Sequence, residues 1–114
     1  MELATTHHDH VTVLAIAGSV DSLTADTLTA ALVEHVGTGR VRLVCDFSAV
    51  NYTSSAGLRS LLGALKESRR LGGDLRMAAV QPSVLRVLSL SGFAGIIKIF
   101  DDVPGAVSSF AAGA

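Results

Sequence analysis

A chain of 114 residues, 49% of them hydrophobic and 17% charged, is long enough to enclose one core and too apolar to stay disordered, so a single domain over residues 1–114 is expected. Nine basic and ten acidic side chains give a net charge of −1, and with 4% aromatics and no tryptophan the chain has neither the field nor the stacking platform for nucleic acid, nor an attraction to an anionic membrane. No apolar run reaches the roughly 18 residues of a membrane helix, and Met1 to His10 lacks the basic start and apolar centre of a signal peptide, so a cytoplasmic protein is expected.

Residues 2 to 9 are polar and predict an edge strand, joined by a hairpin to a core strand from Val11 to Gly18 that is rich in β-branched residues. His7, His8, Asp9 and His10 form a dense ligand-like cluster. Successive strand side chains point to opposite faces, however, and no second ligand set with zinc spacing follows, so a solvated turn is expected and no metal. Gly18-Ser19-Val20-Asp21 then turns the chain into a helix from about Ser22 to Val36. Asp21 or Ser22 is its expected cap, Leu28, Ala31, Leu32 and Val36 its buried stripe, and Gly37 and Gly39 its end. His35 on this helix is expected to be a solvated side chain.

The run from Val41 to Phe47 predicts a strand parallel to the preceding one, because the connection is long enough for a crossover. Cys45 lies inside it, unable to form an internal disulfide and expected to be a buried, inert thiol. A short polar loop follows, and then a central helix from about Ser55 to Leu71. Its face is set by Leu58, Leu61, Leu62 and Leu65, and its stop by Gly72-Gly73. Lys66, Glu67, Arg69 and Arg70 are expected on its solvated side. Asp74 to Val80 predicts another strand, and Pro82 opens a helix through about Leu90 that Gly92 closes. Ile96 to Phe100 predicts the last strand. Pro104 begins a final helix that docks through Val107, Phe110 and Ala111. Alternation of this kind predicts an α/β fold, a mixed but mostly parallel sheet packed against about four helices through right-handed crossovers.

The stretch Asp46-Phe47-Ser48-Ala49-Val50-Asn51-Tyr52-Thr53-Ser54-Ser55-Ala56-Gly57-Leu58-Arg59 brings a buried strand to the first turn of a helix, with hydroxyls at the join. A helix start leaves backbone N–H groups without partners and carries partial positive charge, so it accepts a phosphate or another anion. Arg59 is placed to help receive one, or an acidic partner. A serine at a strand-to-helix turn is also the position of a hydrolase nucleophile, but Ser54 and Ser55 do not lie in Gly-x-Ser-x-Gly. All four histidines, at 7, 8, 10 and 35, precede them, and no general base or oxyanion partner is evident. Catalysis is not expected, and no phosphate-cradling glycine loop is present. Taken by themselves, Thr53, Ser54 and Ser55 are a hydroxyl-rich helix entrance, serving either as caps or as a site of modification.

The pattern Asp46-Phe47-Ser48-x-Val50-x-Tyr52-x-Ser54-Ser55-Ala56-Gly57-Leu58-Arg59-x-Leu61-Leu62 resembles the signature of STAS domains, and Gly18-x-Val20-Asp21 is similar to the family's Gly-x-Leu-Asp turn. The resemblance covers nearly the whole chain. Among STAS domains, a free-standing domain of this size is similar to the bacterial anti-sigma factor antagonists (SpoIIAA-like). That resemblance implies a binding protein without a cofactor, whose unmodified form engages a serine-kinase anti-sigma factor and so releases a sigma factor. The kinase, using ATP and Mg²⁺, then phosphorylates a serine of the antagonist, and a phosphatase restores it. Carried onto this sequence, the acceptor is Ser55 with Ser54 in reserve. Asp21, Asp46, Ser54, Ser55, Gly57 and Arg59 form the partner-binding surface. Family members often carry the acceptor serine directly before glycine, whereas here Ala56 precedes Gly57. Matching the serine pair gives Ser55; matching Gly57-Leu58 puts Ala56 at the acceptor position. The alternative reading is a non-phosphorylated STAS module that binds a ligand or a partner within a transport or signalling assembly.

Overall fold

The computed structural model describes residues 1–112. Strands β1 (Glu2–His8) and β2 (Val11–Val20) form an antiparallel hairpin, and its turn places Asp9 in the left-handed region that aspartate tolerates. The chain continues through α1 (Ala25–Gly37), β3 (Arg42–Thr53), α2 (Ser55–Arg70), β4 (Asp74–Ala78), α3 (Pro82–Leu90), a 3-10 turn at Phe93–Gly95, β5 (Lys98–Phe100) and α4 (Val103–Ala112). The five strands lie in sequence order, and every pair after the hairpin is parallel.

Alternation along the strands divides the core in two. Leu43, Cys45 and Phe47 of β3 join Leu14 and Ile16 of β2 and Leu75 and Met77 of β4 beneath α1, α2 and α3, whose Leu28, Leu32, Leu61, Leu65, Val84 and Leu88 complete this larger core. Val44, between Leu43 and Cys45, points the other way, toward Val11, Val13 and Ala78 and the α4 residues Ala106 and Phe110. The expected α/β architecture with four helices is therefore present, with α4 alone on the second face.

Several boundaries differ from those expected. Helix α1 starts at Ala25 rather than Ser22, because the Asp21 carboxylate accepts the backbone N–H groups of Leu23 (2.9 Å) and Thr24 (3.1 Å) and holds those residues in a turn. Strand β4 stops at Ala78, since Ala79 adopts a left-handed φ of 57° and donates its N–H to the Phe100 carbonyl. The 3-10 turn delays β5 to Lys98, and Ala111 is exposed, leaving Val107 and Phe110 to dock α4. Arg69 is not merely solvated. Its Nε bonds Asp74 at 2.8 Å and a terminal nitrogen bonds the Ile96 carbonyl at 2.9 Å. His35 is half-buried, its Nε2 3.4 Å from the Thr5 hydroxyl.

The main correction concerns the polar stretch after Phe47, which continues as strand to Thr53 instead of forming a loop. Two irregularities in its pairing with β2 make this possible. Between Ala15↔Asp46 and Ala17↔Ala49, and again between Gly18↔Val50 and Ser19↔Tyr52, β3 carries one residue more than its partner. Each extra residue shifts the alternation by one, so Phe47, Val50 and Thr53 are all buried although spaced by three. Asp46 stabilises the first bulge by accepting the Ser48 N–H at 2.9 Å, and Ser19 bonds Asn51 at the second, 3.1 Å away.

Candidate functional site

The end of β2 and the start of α2 are fastened together by two features of the backbone. Ser54 donates its N–H to the Val20 carbonyl at 2.8 Å, and Gly57 lies so close to β2 that a Cβ there would sit 2.6 Å from Val20 Cγ1 and 2.8 Å from Thr53 Oγ1. Glycine is needed for that approach. It brings the Asp21 turn, which follows Val20 directly, beside the serine pair.

The two serines are used differently. Ser54 has the extended backbone of an N-cap, and its hydroxyl accepts the Gly57 N–H at 3.3 Å. Ser55 is the first helical residue. It is exposed, and its hydroxyl bonds no other described residue. No acidic side chain occupies the first turn of α2, so no residue of that turn offsets the partial positive charge of the helix start. Arg59 lies one turn further on, exposed and paired with no carboxylate among the described residues. Residues four apart share a helix face, so Arg59 and Ser55 are neighbours on α2.

Of the expected site residues, Asp21, Ser54, Ser55 and Gly57 converge at this corner and Arg59 extends it along the helix. Asp46 is set back behind the bulged half of β3, where its carboxylate is engaged by Ser48. Two residues that the sequence did not assign to the partner-binding surface stand at the same end of the sheet. Leu23, on the Asp21 turn, is 88% exposed, and Tyr52, two residues before the cap, is 51% exposed. Both fall outside the buried helix and strand stripes, which was their signal: an apolar or aromatic side chain with no place in the core pattern.

From the first turn of α2 a groove of about 730 Å³ runs between α1 and α2, its floor made by Leu32, Val36 and Ala64 and its rim by Val33, Arg59 and Glu67. Ser60 bridges the two helices, donating to the Ala25 carbonyl at 3.2 Å and lying 2.6 Å from the Thr29 hydroxyl. Burial, with the Asp46 charge beside it, pushes the Cys45 thiol up to about 12, so it stays protonated at neutral pH. Among the described residues no three histidine, cysteine, aspartate or glutamate side chains converge as a metal site, and no helix is long and apolar enough to cross a membrane.

The chain is similar to known proteins over most of its length. BtrV of Bordetella bronchiseptica is 33% identical over 110 residues, covering 96% of this chain and 95% of that protein. The anti-sigma-F factor antagonist RsfB of Mycobacterium tuberculosis is 30% identical over 108 residues, covering 93% of this chain and 86% of RsfB. Among solved structures, the Bacillus cell fate determinant SpoIIAA in its phosphorylated form superposes with a TM-score of 0.75 at 16% identity, covering 96% of this chain and 99% of that one, a likeness of fold. The model of the STAS domain matches residues 2–106, and the chain therefore belongs to the STAS domain family.

Proposed function

We propose that this protein is an anti-sigma factor antagonist that binds a serine-kinase anti-sigma factor while unphosphorylated, frees the sigma factor, and is switched off when the kinase phosphorylates Ser55. A phosphatase acting on phosphoserine reverses the switch. The observation that carries this reading is the division of labour at the helix entrance: Ser54 is committed to capping, while Ser55 offers a free hydroxyl to solvent. Relatives over nearly the full chain support it, one of them named an anti-sigma-F factor antagonist, as does the existence of SpoIIAA in a phosphorylated form.

The physical effect is local. A phosphate adds about 1.5 to 2 negative charges and three acceptor oxygens at the first helical residue, where backbone N–H groups and Arg59 receive it without disturbing the core. A partner packed against a neutral serine meets instead an unpaired charge at its interface. A penalty of about 2–3 kcal/mol weakens binding roughly 30- to 150-fold. Leu23 and Tyr52 supply apolar anchors beside the switch, in keeping with aromatic and apolar side chains at the centres of interfaces.

The test is incubation with a cognate serine-kinase anti-sigma factor and MgATP, followed by mass spectrometry of the peptide that holds Ser54 and Ser55. Phosphate on Ser55, lost in Ser55→Ala, is expected. A chain that binds its partner constitutively, takes up no phosphate and is indifferent to Ser55→Ala would instead be an interaction module in which the serines serve only as caps.

A further inference from the structure

At the opposite end of the sheet from Ser55, three arginines gather around one carboxylate. Arg42, the first residue of β3, stands in register with Asp74 on β4, yet both carboxylate oxygens of Asp74 are already engaged, Oδ1 by Arg69 Nε at 2.8 Å and Oδ2 by Arg76 Nε at 3.0 Å. Arg76 is held further by the Ser109 hydroxyl at 2.6 Å and by the Phe110 ring, whose centroid is 3.9 Å from its guanidinium carbon. Arg42 is left half-buried with no acidic partner among the described residues. Such a charge, partly withdrawn from water, favours a bound anion more than an exposed arginine would.

Arg42 also lines two adjoining cavities. One, of about 160 Å³, is polar and bounded by Gly73, Asp74, Arg76 and Ser109; the other, of about 340 Å³, lies between the β1–β2 turn and α4 and has Val11, Val107 and Phe110 in its walls. Phe110 is shared by both. A cationic junction opening on one side to an apolar chamber matches a ligand with a negative head and an apolar tail. At about 30 Å³ per water-sized group, the larger chamber has room for roughly eleven such groups, enough for a tail of about eight carbons.

We propose that the cavities meeting at Arg42 bind an amphiphilic monocarboxylate, the carboxylate on the Arg42 guanidinium and the tail between Val11, Val107 and Phe110. Asp9 at the rim of the apolar chamber and Asp74 in the polar one oppose an anion, but Asp74 is neutralised by its own two arginines, and Arg42 can present two parallel N–H donors to a carboxylate. This site is independent of the Ser55 switch, being separated from it by the length of β3.

The experiment is a titration of the ¹⁵N-labelled full chain with octanoate, read by two-dimensional NMR, with acetate and 1-octanol as head-only and tail-only controls. Saturable shifts at Val11, Arg42 and Phe110 are expected with a Kd of about 0.1–1 mM, and binding at least about tenfold weaker for either control. Arg42→Gln should weaken octanoate at least about tenfold. Ser108→Trp, at an exposed position on the wall of the apolar chamber, should abolish binding and serves as well if the Arg42 variant folds poorly. Shifts confined to the α1–α2 groove, equal binding of 1-octanol, or octanoate binding unchanged in both variants would overturn the proposal.

Discussion

Ser54 donates its backbone N–H to the carbonyl of Val20 at 2.8 Å, joining the last residue of β2 to the cap of α2 across 34 positions of sequence. The helix entrance is thus held by the sheet rather than by α2 alone, and substitutions around it separate stability from recognition.

Adjacent serines should behave oppositely in a denaturation experiment. Ser54→Ala removes the acceptor for the Gly57 N–H and is expected to cost about 1 kcal/mol, whereas Ser55→Ala, at an exposed first-turn position, should change stability by less than about 0.5 kcal/mol. Urea midpoints of the two variants provide the check, and equal losses would mean that the hydroxyls share the cap.

Replacing Ser55 by aspartate should stabilise the fold while weakening its partner complex. The first turn of α2 has no acidic residue, so the new carboxylate gains about 0.3–1 kcal/mol from the helix start. A higher melting temperature together with a Kd raised roughly tenfold or more is the expected pair of results.

Gly57→Ala tests the approach of α2 to β2. Alanine is the better helix former by about 1 kcal/mol, but its methyl group would meet Val20 and Thr53 below van der Waals distance, an overpacking cost of about 1–3 kcal/mol. A net fall in the urea midpoint is expected, and a stabilised variant would show that the entrance yields more easily than the contacts imply.

Leu23 offers a test of recognition without a structural penalty. At 88% exposure, Leu23→Ser should leave stability within about 0.5 kcal/mol of the parent yet weaken binding to the anti-sigma factor by roughly 5- to 30-fold, as measured by calorimetry. Unaltered affinity would place the partner elsewhere on the corner.

Acid should weaken the fold in two stages. Burial lowers the pKa of His35, aided by the Arg40 and His7 charges and opposed by Glu34, so the unfolded chain binds that proton first. The contribution of neutral His35 is complete above about pH 6.5 and fades as pH falls through its lower folded value. Burial of Asp74 opposes its charge, but the Arg69 and Arg76 hydrogen bonds prevail and hold its carboxyl below the usual range. Its contribution is present above about pH 4 and disappears as pH falls through the folded value. Asp74→Ala should flatten the second stage in urea titrations and cost about 2–3 kcal/mol at neutral pH, since Arg76 is left mostly buried and uncompensated while the half-exposed Arg69 is screened.

The alternation of apolar strands with amphipathic helices was legible from residue order, because burial on one helix face or in a parallel strand imposes a period that local composition must obey. So were the inert Cys45, the helix ends at paired glycines, and the hydroxyl-rich entrance to α2. What periodicity could not reveal was the second half of β3. Two bulges reset the alternation there, so Phe47, Val50 and Thr53 share a buried side at a spacing foreign to a regular strand, and only pairing with β2 makes that stretch extended. The same holds for the serines. Their types announced a cap, but which one caps and which faces solvent depended on Gly57 drawing α2 against Val20, a contact between segments far apart in the chain. That Arg42 has no acidic partner among the described residues is likewise a product of tertiary structure, because Asp74, its neighbour across the strands, is claimed by arginines from α2 and β4. Local chemistry set which elements form; long-range contacts decided which of their polar groups are spent in holding the fold and which remain free to bind.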